Sequence, residues 1–242
     1  MNNRIFVFDV DGTLTPSRST MDSEFKQFFD TFCLYNRVYI VTGSDRPKTV
    51  EQLTESTYKL CKRVYQCSGN DVYEGNQNIR ANSWKLPHSA YVWLEDALEQ
   101  SDFSIRTGNH IDVRPGMVNF SILGRNASVE QRKAYVTYET KHNERRFIAD
   151  LFNARFGEYG IVANVAGDTG IDIQPIGADK AQIVPELIEL NPNADIFFYG
   201  DKTQPGGNDH TIASALLELG HAVFPVDSWK DTFTLLKNTV EN

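Results

Sequence analysis

Phe6-Val7-Phe8-Asp9-Val10-Asp11-Gly12-Thr13-Leu14-Thr15 is the stretch on which the fold turns. It continues the apolar run Arg4–Phe8, which reads as a buried strand bounded by a turn. Asp9 stands where that strand ends, and Asp11 lies two residues further on. In extended chain, positions two apart face the same way. Open parallel sheets bind ligands beyond the carboxyl ends of their strands. Two carboxylates crowded there repel each other, and relief comes from a cation or from protonating one of them. A division of labour follows: a metal keeps Asp9 ionised as a nucleophile, and Asp11 holds a proton for the oxygen that leaves or attacks. Taken alone, an Asp-x-Asp pair also reads as a solvated loop or a helix cap, so the rest of the chain has to decide.

Working outward from that strand, apolar runs alternate with helix-period segments. Glu24–Tyr35 carries Phe25, Phe28, Phe29 and Phe32 at helical spacing. Arg37–Val41 is a second strand, a helix starts near Arg46, and Val64–Cys67 is a third strand. Such alternation implies a parallel sheet covered by helices. The pattern changes near Asn82. His110–Arg114 and Val118–Leu123 alternate as strands around the turn Pro115-Gly116. Ser128-Val129-Glu130-Gln131 reads as a capping box opening one long polar helix toward Phe156. Ile161–Val165 and Gly170–Pro175 are two more strands. Helix–strand alternation then returns: a helix from about Ala178 to Leu190, strand Asp195–Tyr199, a helix from Asp209, strand His221–Val226 and a last helix. The expected architecture is α/β. Residues 1–81 and 178–242 form a core with a parallel sheet, and 82–177 form an inserted α+β domain with an antiparallel sheet.

Composition narrows the function classes. The chain has 242 residues and a net charge of -8, with a sequence pI near 5.2. That acidity argues against nucleic acid, because a duplex binder needs a basic surface to displace counterions. No apolar run approaches the roughly 20 residues a membrane helix needs, and the start of the chain lacks the pattern of a signal peptide. Cys33, Cys61 and Cys67 read as reduced core cysteines of a cytosolic protein.

Asp-Val-Asp-Gly-Thr-Leu-Thr after an apolar strand resembles the first motif of the haloacid dehalogenase superfamily, and three further motifs follow in order. The second strand ends in Thr42-Gly43-Ser44-Asp45. The resemblance makes Ser44 the hydroxyl donor to a phosphate oxygen, whereas the residue alone also suits an N-cap. Lys180 takes the place of the cation that offsets charge on the transferring group. Phe198-Tyr199-Gly200-Asp201-Lys202-Thr203-Gln204-Pro205-Gly206-Gly207-Asn208-Asp209 supplies two more carboxylates, Asp201 and Asp209. With Asp9 and Asp11 these are hard oxygen ligands suited to Mg2+. The implied chemistry is in-line attack of Asp9 on phosphorus to give an aspartyl-phosphate.

A closer likeness spans nearly the whole chain. The first motif followed by Arg18, then Arg114-Pro115-Gly116-Met117-Val118-Asn119, Ile122-Leu123-Gly124-Arg125 and Gly200–His210, is similar to the α-phosphomannomutases. That resemblance implies an isomerase for mannose 6-phosphate and mannose 1-phosphate, primed by a hexose 1,6-bisphosphate. It further implies a cytoplasmic homodimer joined through the cap and serving activated-mannose synthesis. Arg114, Arg125 and Arg132 of the insert would grip the distal phosphate, Asp172 the sugar hydroxyls, and Arg18 would contribute from the core. Arginine's planar fork suits such oxygens.

Three positions depart from the family pattern. Gly170 replaces a serine two residues before Asp172, with Thr169 as the available substitute. Ser214–Leu219 continues a helix where the family has a loop holding an auxiliary cation. Ser68-Gly69-Asn70-Asp71 replaces a Glu-Asn-Gly sequence. These leave a sugar-phosphate phosphatase on the same core as the alternative reading, and a non-catalytic sugar-phosphate-binding module as a more distant one.

Overall fold

Successive residues of a strand point to opposite faces, and the last four positions of Arg4–Phe8 (β1) are all buried. Phe6 and Phe8 enter one apolar cluster with Phe25, Phe29 and Phe32. Ile5 and Val7 enter another with Ile196, Phe198 and Ile212. A strand buried on both faces lies inside a sheet covered on both sides. The computed structural model describes residues 3–17 and 19–241 and has that arrangement.

After β1 come helix α1 (Ser23–Tyr35), strand β2 (Arg37–Val41), helix α2 (Arg46–Leu60) and strands β3 (Arg63–Gln66), β4 (Asp71–Glu74) and β5 (Gln77–Ala81). The middle of the chain forms α3 (His88–Gln100), β6 (Ile111–Arg114), β7 (Met117–Phe120), α4 (Val129–His142), α5 (Glu144–Phe156), β8 (Ile161–Ala166) and β9 (Gly170–Pro175). It ends with α6 (Val184–Leu190), β10 (Asp195–Gly200), α7 (His210–Glu218), β11 (Ala222–Pro225) and α8 (Trp229–Glu241). Contacts divide these elements into two compact units, one from the chain up to Ala81 and from Ala178 onward, the other Asn82–Gly177.

In the first unit the sheet order is β11-β10-β1-β2-β3-β4-β5. The strands from β11 to β3 run parallel, and β4 and β5 add an antiparallel hairpin. The α/β class with a parallel sheet is as the sequence implies, but the hairpin is an addition to it. Its outer strand β5 is exposed at every position and so carries no apolar period. The third strand stops at Gln66, and Cys67 opens a single 3-10 turn. Asp45, not Ser44, caps α2, its side chain accepting from the Lys48 amide. Beyond Gly177 the chain makes one 3-10 turn, Lys180–Ile183, before α6 begins. The helix α7 runs unbroken through Ser214-Ala215-Leu216-Leu217 to Glu218.

The second unit is a four-stranded antiparallel sheet, β6-β7-β9-β8. Val118, Phe120, Ile171 and Ile173 pack with Tyr135, Ile148 and Phe152 of the helices. The residues that alternate with them form a polar row across all four strands. Asp112 is opposite Asn119, Asn119 opposite Asp172, and Asp172 opposite Asn164. The Ser128 capping box forms with Gln131. The single long helix expected from it is instead two, because Asn143 takes a left-handed conformation (φ 49°) that ends α4 and begins α5. Asparagine tolerates that region better than other non-glycine residues. The second unit also contains α3, for which no helix was expected.

No helix among the described residues is long and apolar enough to cross a membrane. Cys33, Cys61 and Cys67 are all free thiols and all buried.

Candidate active site

Strand ends gather the first cluster. β1 delivers Asp9, whose amide donates to Tyr199 of β10 at 3.0 Å, and β10 delivers Asp201. Asp209 stands at the N-terminal boundary of α7. Lys180, in the 3-10 turn, reaches both Asp9 Oδ1 at 2.5 Å and Asp209 Oδ1 at 2.6 Å. These three groups are almost wholly buried, at 2% exposure for Asp9, 1% for Lys180 and 0% for Asp209. Thr13 Oγ1 donates to the other Asp9 oxygen at 3.2 Å.

Two close approaches depend on glycine. At Gly12 (φ 85°) an added Cβ would fall on the Asp201 carboxylate, and at Gly200 one would lie 2.8 Å from Asp209 Oδ2. A third tie comes from the segment after β3. Gln182 Nε2 donates to the Ser68 oxygen at 2.7 Å and Asn70 Nδ2 to the Ala178 oxygen at 3.1 Å, which pins the turn that carries Lys180.

Burial raises the Asp9 pKa well above the ordinary carboxylate value; Lys180 opposes the rise, and Asp209 and Asp201 add to it. Asp201 is raised by burial too, against the pull of Lys202. For Lys180 burial is the largest influence and acts to lower the pKa, but Asp209 and Asp9 together outweigh it and hold the ammonium charged. Asp9, Asp201 and Asp209 each bring a carboxylate oxygen within 4.8 Å of the others. Three carboxylates against one buried ammonium leave excess negative charge in a site of low dielectric. Hard oxygen donors with that imbalance fit a divalent cation of the Mg2+ type.

Asp11 stands apart from this group. The chain turns sharply after β1, with the Leu14 amide bonded to the Val10 oxygen at 2.9 Å, so the two-residue alternation of a strand no longer applies. The Asp11 carboxylate instead accepts from Gln52 Nε2 at 2.9 Å and from Ser44 Oγ at 3.4 Å. The carboxylates grouped within 4.8 Å are therefore those of Asp9, Asp201 and Asp209, and the Asp11 side chain is not among them. Ser44 and Asp11 are neighbours, and the buried Gln52 is an orienting group that sequence reasoning missed. A glutamine in the middle of a mostly polar helix carries no signal of its own.

The second cluster lies on the polar row of the insert's sheet. Arg114 Nη2 donates to Asp112 Oδ2 at 2.7 Å, and Arg125 Nε approaches the same oxygen at 3.3 Å. Arg125 Nη1 also donates to Asn119 Oδ1 at 3.2 Å, and Asn119 Nδ2 donates to Asp172 Oδ1 at 2.6 Å. Arg132 donates to the Arg125 oxygen at 3.0 Å and to Thr169 Oγ1 at 3.3 Å. All three arginines and Asp172 thus belong to one network. Asp112 and Asn119 are its unforeseen members; their alternation with apolar neighbours in β6 and β7 was the available signal. Arg18 lies outside the described residues.

The chain matches the family model described as eukaryotic phosphomannomutase over residues 25–242. It is 34% identical to the probable phosphomannomutase of Caenorhabditis elegans, over 96% of this chain and 95% of that one. Among solved structures, the IMP-nucleotidase of Plasmodium falciparum superposes with a TM-score of 0.66 at 14% identity, over 100% of this chain and 69% of that one. A haloacid dehalogenase-like hydrolase of Bacteroides thetaiotaomicron superposes with a TM-score of 0.55 at 14% identity, over 86% and 84%. At such identities the structural likeness speaks for the fold alone. On the strength of the family match, this chain is an enzyme that belongs to the eukaryotic phosphomannomutase family.

Proposed function

We propose that the chain interconverts mannose 6-phosphate and mannose 1-phosphate, with Asp9 carrying the phosphoryl group between them. The observation that carries the reading is the buried Asp9 carboxylate at a strand end, held by Lys180 on one oxygen and Thr13 on the other. From the hexose bisphosphate intermediate, one Asp9 oxygen attacks one phosphorus in line, and the bond from that phosphorus to the sugar oxygen breaks, leaving an aspartyl-phosphate and a sugar monophosphate. Asp11 gives its proton to that leaving oxygen. In the return step the free hydroxyl of a sugar monophosphate attacks the aspartyl-phosphate, Asp11 takes its proton, and Asp9 and the hexose bisphosphate intermediate are regenerated.

Lys180 and Ser44 offset charge on the phosphoryl oxygens, an interaction that grows as the transition state spreads charge over them. Mg2+ would be held by Asp9, Asp201 and Asp209 and would, when bound, neutralise charge at the phosphoryl group and keep Asp9 ionised. A hexose 1,6-bisphosphate primes the cycle by phosphorylating Asp9. A bisphosphate carries two dianions, and the chain carries two separate anion-handling clusters. We take the first unit as the catalytic core and 82–177 as the substrate-binding cap. Arg114, Arg125 and Arg132 serve the phosphate that is not reacting, and Asp172 the sugar hydroxyls.

The test follows phosphorus by NMR after mannose 1-phosphate, Mg2+ and a trace of hexose 1,6-bisphosphate are supplied. Mannose 6-phosphate should form, and chelating the metal should stop it. Release of inorganic phosphate without mannose 6-phosphate would contradict the reading in favour of a phosphatase. Sedimentation of the full chain checks the proposed homodimer.

A further inference from the structure

The backbone of Ser44 and the turn that carries Lys180 are joined by one buried segment, Cys67–Asn70. The Cys67 amide donates to the Ser44 oxygen at 3.0 Å, and the Ser68 amide to the Thr42 oxygen at 2.8 Å. Asn70 Nδ2 then donates to the Cys67 oxygen at 2.8 Å and to the Ala178 oxygen at 3.1 Å. A primary amide has two hydrogens to give, and here both link the segment after β3 to the residue two before Lys180. From the other side of Lys180, Gln182 Nε2 returns to the Ser68 oxygen at 2.7 Å.

The segment has an uncommon backbone. Cys67, Ser68 and Gly69 all take positive φ, at 48°, 59° and 99°. For a residue with a side chain that region costs about 1–2 kcal/mol, and it persists where the surroundings over-determine it. Here they do so twice over. Cys67 and Asn70 are buried, and a Cβ at Gly69 would lie 2.7 Å from Ile183 Cγ2 and 3.0 Å from Gln182 Cγ. The segment is flush against the Lys180 turn, so a shift of one displaces the other.

The two groups joined in this way have one task. Lys180 and Ser44 offset charge on the phosphoryl oxygens, and such donors are effective when they are in place before the charge develops. A misplacement of about 1 Å can cost on the order of 100-fold in rate. Asp9 and Asp209 orient the Lys180 ammonium, and Asp11 accepts from the Ser44 hydroxyl. Those bonds aim the side-chain tips. The path Ser44–Cys67–Asn70–Ala178 sets the distance between their backbones.

We propose that Asn70 is a positioning residue for phosphoryl transfer, acting through the backbone of Cys67 and Ala178 to fix the spacing of Ser44 and Lys180. The proposal rests on the reading that both groups serve the phosphoryl group. Its test follows consumption of mannose 1-phosphate by the full chain with Mg2+ and a trace of hexose 1,6-bisphosphate, which counts transfer to sugar and to water alike. Each variant is assayed well below its melting temperature, so that loss of folded protein does not enter the rate. Asn70→Ala should lower kcat about 10- to 100-fold, with KM within about threefold of wild type. In a chain already carrying Ser44→Ala the spacing no longer matters, and adding Asn70→Ala should lower kcat by less than about threefold, a non-additivity that a merely structural role would not produce. If Asn70→Ala does not fold, Gln182→Met, which removes the tie to Ser68, takes its place in the same cycle. A kcat loss below about threefold in the folded single variant, or a loss as large in the Ser44→Ala chain as in wild type, overturns the proposal. If Ser44→Ala alone turns over within about twofold of wild type, the phosphoryl role of Ser44 falls and the proposal with it. No consumption by the wild type overturns the proposal together with the ligand reading. Inorganic phosphate in place of mannose 6-phosphate ends the mutase reading alone, and Asn70 is still judged by the cycle.

Discussion

The two units gather charge in opposite ways. In the first, Lys180 and three carboxylates come from β1, a 3-10 turn, the end of β10 and the start of α7, and the lysine and its two partners are almost wholly buried. In the second, the arginines come from β6, the segment after β7 and α4, and two of them share a single carboxylate, Asp112, that remains partly exposed. Asn119 joins the neighbours through a neutral amide. A buried ion cluster couples chemistry to stability, because loss of one member strands the others without water. In the insert Arg125 and Asp112 keep partial access to water, at 27% and 24% side-chain exposure, while Arg114 and Asn119 are buried, so solvent can replace a lost partner at small cost only at the more open pair. The buried cluster of the first unit should therefore resist substitution more than Arg125 and Asp112 of the second.

The comparison breaks first at Asp9. Asp9→Asn should lower turnover by at least about 10⁴-fold, as loss of a covalent nucleophile does, and residual activity near wild type by phosphorus NMR would remove Asp9 from the mechanism. Lys180→Met should destabilise the fold by about 3–5 kcal/mol, because Asp9 and Asp209 then lie buried and uncompensated. Urea denaturation measures this, and a change below about 1 kcal/mol would show that the core is no more coupled than the insert. Arg125→Ala should raise KM about 10- to 100-fold, the factor for a charged hydrogen bond, with kcat and melting temperature little changed. A collapse of stability there would erase the contrast between the units. Smallest should be Asn119→Ala, about 5-fold in KM or ~1 kcal/mol, since it removes a neutral bridge rather than a charge. An effect as large as that of Arg125→Ala would make the amide a direct ligand of the substrate.

Legibility in the sequence followed the same divide. Asp9, Asp201 and Asp209 sit at strand ends or a helix start, where apolar runs stop and glycines gather, so their convergence follows from a parallel sheet once the strand pattern is read. Gln52 and Ser44 were harder to place. The first is one polar residue among many in α2, and the second had to be separated from a capping role that Asp45 turned out to hold. The hairpin β4–β5 escaped notice because β5 is solvated along its whole length. The break between α4 and α5 escaped because Asn143 sits in a polar run without glycine or proline. In the insert the arginines were legible as charges, but their supports, Asp112 and Asn119, depended on strand register, which single-strand periodicity does not reveal.

The most direct measurement of the central claim is to find where the phosphoryl group rests. The full chain, briefly exposed to hexose 1,6-bisphosphate labelled in phosphorus and then quenched in acid, should carry label on the peptide that contains Asp9, and mannose phosphate added before the quench should discharge it. Label on another residue, or rapid interconversion of mannose phosphates with no label at Asp9, would contradict the account.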